Sequence, residues 1–127
     1  MDISLIGRGM TIDMKKLQGE IDKFVTDRDW DQFHSVKNLS MALSVECSEL
    51  VEIFQWMKEE KSNAVASDPE TIGKVKDEVA DIFFYLMRVV EKTGIDLEKA
   101  VLEKIKKNEE KYPVEKSRGI SKKYNEF

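Results

Sequence analysis

Residues Thr71–Thr93, TIGKVKDEVADIFFYLMRVVEKT, carry no proline and no strand-like alternation, and their patterning decides the fold. Ile82, Phe83, Phe84, Leu86, Met87, Val89 and Val90 fall at helical spacings and together cover more than one face of the helix they predict. A helix apolar on most sides is buried on most sides. In so small a chain that predicts an oligomer whose interface extends the core. Gly94 follows as the stop, because glycine readily adopts the left-handed conformation that ends a helix.

Working outward, Asp13 to about Asp27 reads as a first amphipathic helix. Met14, Leu17, Ile21 and Phe24 form its apolar stripe, and Asp13 is its N-cap. Arg28–Val36 is a polar and aromatic connector. A second helix is predicted from about Lys37 to Glu59, and Lys61–Glu70 is predicted as a loop ending in Asp-Pro. Downstream, Asp96 caps a fourth helix whose acids lie early and whose lysines lie late, as the helix dipole favours. Tyr112-Pro113 ends it. The expectation is an all-α, four-helix-bundle-like single domain spanning residues 1–127, with residues 1–12 and about 114–127 as flanking tails.

Composition narrows the function. Of 127 residues, 41% are hydrophobic and 36% charged, and no apolar run approaches the ~20 residues of a membrane span. Met1–Asp13 is neither basic nor apolar enough for a secretory signal, so a cytoplasmic protein is expected. The lone cysteine, Cys47, precludes an internal disulfide and sits in an apolar helical stretch, where it is expected to be buried filler. A net charge of −4 argues against binding a nucleic-acid polymer, which needs clustered Lys and Arg. A single histidine, His34, excludes His-rich zinc sites and di-iron sites built from E-x-x-H pairs.

The chemistry lies in two acidic pairs. Glu46 and Glu49 share one face of the second helix, and Glu78 and Asp81 share one face of the third, each pair one turn apart. They stand in the most apolar parts of the chain beside Leu43, Leu50, Ile82 and Phe83. Only Lys74 is spaced to neutralise any of them, and a Lys N-terminal to its Glu is the weaker orientation. Partly buried, unpaired carboxylates are costly. A hard divalent cation with oxygen ligands, Mg²⁺ or Mn²⁺, answers that cost, and such ions polarise phosphoryl groups and activate water. A solvated acidic face and a structural ion are the alternatives that spacing leaves open.

The two pairs, E-x-x-E then E-x-x-D, are separated by 28 residues. With Asp29-Trp30-Asp31-Gln32-Phe33-His34, Asn38-Leu39, Phe54-Gln55-Trp56, Tyr85, Lys104, Asn108, Tyr112-Pro113 and Arg118-Gly119 through Lys122-Lys123-Tyr124, the chain resembles the MazG-like all-α nucleoside triphosphate pyrophosphohydrolases. It is most similar to their single-domain dCTP pyrophosphatase branch, in order over roughly residues 14 to 127. The resemblance implies Mg²⁺ held by Glu46, Glu49, Glu78 and Asp81, one of which also orients or deprotonates water. It further implies conversion of a (deoxy)nucleoside triphosphate to the monophosphate and pyrophosphate, as a house-cleaning activity, in a homodimer or homotetramer.

The substrate-binding expectations that follow are Trp30 and Trp56 for base stacking, Lys104 and Asn108 for phosphate and for sugar or base, Tyr85 over the deoxyribose, and His34 beside the pocket. Packing is the ordinary alternative for the aromatics and for His34. The dCTP-preferring enzymes are expected to place a histidine on the first helix, where this chain offers Gln18, which donates and accepts hydrogen bonds but carries no charge. That leaves the base open. The reading from another class is a non-catalytic helical module that assembles and binds nucleotide or protein.

Overall fold

A computed structural model describes residues 11–126. Residues 1–10, most of the predicted N-terminal tail, lie outside the described residues. Among the described residues there are six α-helices and no strand. They are α1 (Met14–Asp27), α2 (Val36–Phe54), α3 (Glu59–Asn63), α4 (Pro69–Thr93), α5 (Leu97–Lys111) and α6 (Val114–Ser117), with single 3-10 turns at Asp31–Phe33, Val65–Ser67 and Tyr124–Glu126. The all-α expectation holds.

The starts of the helices follow from their caps. The Asp13 side chain accepts from the Lys16 backbone N–H at 3.0 Å, Ser35 does the same for Asn38 at 3.1 Å, and Asp96 for Lys99 at 3.1 Å. α4 begins at Pro69, two residues before the predicted start. Proline suits the first helical position, and Asp68 ahead of it accepts from the Thr71 hydroxyl at 2.7 Å and from the Glu70 N–H at 3.2 Å. α4 ends before Gly94, whose φ of +68° is the left-handed stop expected of it.

The second helix is shorter than predicted. It ends at Phe54, the Met57 N–H bonds back to the Phe54 carbonyl at 2.9 Å, and Lys58 turns extended before α3. Met57 continued the apolar period into what is a turn. The predicted loop over 61–70 instead holds the end of α3, a 3-10 turn and the first residues of α4.

The chain divides into two compact units, Met1–Lys92 and Thr93–Phe127. In the first, α1 meets α4 through an edge-to-face pair, Phe24 on Phe84, with ring centroids 5.8 Å apart. α2 meets α4 through carboxylates described below. Among the described residues the buried apolar core is small: Ile21 and Val25 of α1, Leu39 of α2 and Met87 of α4. Val45 and Val51 of α2 and Val79 of α4 are more than half exposed in the single chain. In the second unit, Tyr124 packs edge-on to Tyr112 and lies under the Lys111 ammonium, so this part of the C-terminal segment is tied back to α5.

Candidate active site

Helical period alone sets each acidic pair on one face, and the fold brings the two faces together. One carboxylate oxygen from each of Glu46, Glu49 and Glu78 lies within 4.8 Å of the others. Glu46 and Glu78 are half-buried and Glu49 is exposed. Among the described residues none of these acids makes an ion pair, and the Oε2 atoms of both Glu46 and Glu78 are buried without a hydrogen-bond partner. Clustered acids with orphaned buried carboxylate oxygens are a donor set that suits a hard divalent cation. Asp81, one turn beyond Glu78 on α4, stands outside that triplet and opens onto the neighbouring cleft.

Without a cation, the cluster binds a proton. Burial, then the adjacent carboxyls of Glu78 and Glu49, push the Glu46 carboxyl up to about 7. For Glu78, the contact with Glu46 acts downward, but burial and the charges of Glu49 and Asp81 leave it above its ordinary value. Tyr85, one turn after Asp81, has its phenol raised by burial first and then by the Glu46 and Asp81 charges.

Beside the acids is an open cleft of about 670 Å³, walled by Phe24, Trp30, Phe84 and Tyr85, with Asp81 at its edge. Trp30 packs edge-on to Phe24 at 5.5 Å, and Phe84 does so to Tyr85 at 5.3 Å. Arg28, also in this cleft, lies over the Phe24 ring at 3.8 Å while its Nη1 donates to the Phe24 carbonyl at 3.1 Å. A second pocket is lined by Glu49, Glu78 and Lys74, whose ammonium is 3.7 Å from Glu70.

Of the residues singled out from sequence, Glu46, Glu49 and Glu78 come together, and Asp81, Trp30 and Tyr85 share the adjoining cleft. The sequence reading places Phe24 and Phe84 among core positions and Arg28 only at the start of the connector, although the Phe24–Arg28 spacing of four is a usable signal. Trp56 is 90% exposed in the turn after α2, and Gln18 is exposed on α1; neither lines the cleft. Lys104 and Asn108 are exposed, one turn apart, on α5 of the second unit. His34 accepts a hydrogen bond at Nδ1 from Arg88 Nε, 3.2 Å away. Cys47 corrects the expectation of buried filler: it is exposed on α2.

The elements therefore define an all-α protein with a carboxylate cluster beside an aromatic cleft, and the comparisons with known proteins agree. A pyrophosphatase of known crystal structure from Archaeoglobus fulgidus superposes with a TM-score of 0.73 at 34% identity, covering 84% of this chain and 97% of that one. The chain belongs to the MazG-like family, which its residues 41–127 match. It is 39% identical to dCTP pyrophosphatase 1 of Bos taurus and 35% identical to that of Homo sapiens, in each case over 115 residues, 91% of this chain. Those matches span 66% of the relatives' own length.

Proposed function

We propose that this protein is a nucleoside triphosphate pyrophosphohydrolase that uses Mg²⁺, with Mn²⁺ able to substitute, to split a (deoxy)nucleoside triphosphate into monophosphate and pyrophosphate. The observation that carries the proposal is the pair of orphaned carboxylate oxygens on Glu46 and Glu78, next to an aromatic cleft that Asp81 borders. A bound divalent cation supplies phosphoryl polarisation and charge neutralisation there, and Glu46, Glu49, Glu78 and Asp81 are the residues that would hold it. The reaction breaks one P–O bond of the α–β anhydride and adds the oxygen of water to phosphorus. A carboxylate of the cluster is the group to orient that water and accept its proton.

The chain's own side chains supply the rest of the site. Trp30 offers an aromatic face to the base, worth about 1–3 kcal/mol for such stacking. Tyr85 closes over the sugar, and Lys104 and Asn108, one turn apart on α5, are the family-implied candidates for phosphate and for sugar or base. The relatives named dCTP pyrophosphatase 1 support deoxycytidine triphosphate as a substrate, and a modified nucleotide is the other candidate. The exposed apolar faces of α2 and α4 support a homodimer or homotetramer. No helix among the described residues is long and apolar enough to cross a membrane, and a cytoplasmic house-cleaning role fits the free thiol.

The test is pyrophosphate release from a panel of canonical and modified NTPs and dNTPs, with Mg²⁺ and with EDTA. Metal-dependent formation of a monophosphate is expected. No turnover of any nucleotide by folded, metal-supplied protein would overturn the proposal in favour of a binding module.

A further inference from the structure

Ten residues beyond Glu78 on α4, Arg88 is buried, with 5% of its surface exposed, and the site described above does not use it. Each nitrogen of its guanidinium makes a hydrogen bond. Nε donates to His34 Nδ1 at 3.2 Å, Nη1 to Glu91 at 2.8 Å, and Nη2 to Asp31 at 2.7 Å, while Asp22 of α1 stands 3.8 Å from Nη1. Lys92 closes on Asp31 from the same helix at 2.6 Å. Two of these partners, Asp31 and His34, belong to the connector between α1 and α2. The same connector carries Trp30, a wall of the aromatic cleft.

We propose that Arg88 is a positioning residue for that cleft: by holding Asp31 and His34 it fixes the connector that presents Trp30, and it locks His34 as the neutral tautomer with its proton on Nε2. The proposal rests on reading the cleft as the nucleotide site. The tautomer follows from valence. A guanidinium only donates, so the nitrogen it bonds must offer a lone pair, which leaves the imidazole proton on Nε2. The groups facing the imidazole agree. Burial, then Arg88, then Lys92 oppose its protonation, and Asp31 alone favours it, so the net shift is below the ordinary value. His34 is then a strut beside Trp30, with ring centroids 6.5 Å apart, and takes no part in acid–base chemistry. Lysine cannot replace this arginine, because a single ammonium does not reach three partners in the directions of a planar fork.

The chain's single histidine makes the test direct. Long-range ¹H–¹⁵N spectra of the imidazole, through a pH titration, are recorded for the full-length wild type, Arg88→Lys and Arg88→Met. Steady-state pyrophosphate release is measured on the same samples. Expected for the wild type is the Nε2–H tautomer with a titration midpoint below about 6.5. Expected for both variants are mixed tautomers, a midpoint moved upward, and KM raised about tenfold with kcat within about twofold. Arg88→Lys retains the charge and keeps the test open if Arg88→Met does not fold. An unchanged tautomer in folded variants overturns the proposal, as does a fall in kcat with KM unaltered. A wild type that turns over no nucleotide overturns the reading of the cleft instead, and the imidazole spectra then decide the lock by themselves.

Discussion

α4 carries two groups of partly buried charge about 15 Å apart along its axis, and they are built on opposite plans. At Glu78 and Asp81 it joins Glu46 and Glu49 of α2, like charge meets like charge, and two carboxylate oxygens are left without partners. At Arg88 and Glu91 it joins Asp22, Asp31 and His34, and the guanidinium is bonded to three groups at once. One group supplies its own counter-charge, although Glu91 Oε1 is also buried without a hydrogen-bond partner, and the other pairs with no cation among the described residues. A charge cluster left without a counter-ion invites one from outside, whereas one that carries its own serves as scaffolding. On the same helix, the difference separates the proposed binding site from the network that holds the connector.

The largest effect expected from breaking this contrast is on turnover. Glu78→Gln should lower it by on the order of a thousandfold, about 4 kcal/mol, while the metal-free Tm stays level or rises. Pyrophosphate release and a thermal melt on one preparation check both halves. Next, Arg88→Met should cost about 3 kcal/mol of stability in urea denaturation, because it strands the buried Glu91 carboxyl. Arg88→Met combined with Glu91→Leu should recover much of that loss, since the stranded charge goes with its partner. Trp30→Ala should weaken nucleotide binding about tenfold in a direct titration, with the acid cluster intact.

The smallest effect is a pH slope. Glu46 is raised in the folded, metal-free protein from 4.5 to about 7, so in that window the folded chain holds a proton the unfolded chain has lost. Its contribution to stability is present below the lower value and declines as pH rises towards the upper one. Metal-free Tm should therefore show a component falling from about pH 4.5 to about pH 7 that Glu46→Gln removes. Mg²⁺ should remove it too, with proton release measurable by calorimetry.

What the sequence made legible were its local features. Asp13, Asp96 and Gly94 announce helix ends because caps are decided within a few residues. The acid pairs stood out because an unneutralised acid in an apolar run is visible from its immediate neighbours. The end of α2 was misplaced because Met57 prolongs the apolar period through a turn. The Arg88 network left no signal, since its connector partners lie 54 and 57 residues away in the chain. Arg88 sits between Met87 and Val89 like any helix arginine, and only tertiary packing shows that it is buried. Phe24 and Phe84 looked like core filler for the same reason.

The exposed Cys47 gives the chain a built-in chemical handle. It is the sole thiol, placed on α2 between Glu46 and Glu49. A thiol-reactive dye or spin label attaches at one defined position, without cysteine removal elsewhere, and its rate of attachment registers whatever covers that face of α2. The protein can thus be interrogated at its acidic centre, chain by chain, by a reagent that neither resembles nor competes with a nucleotide.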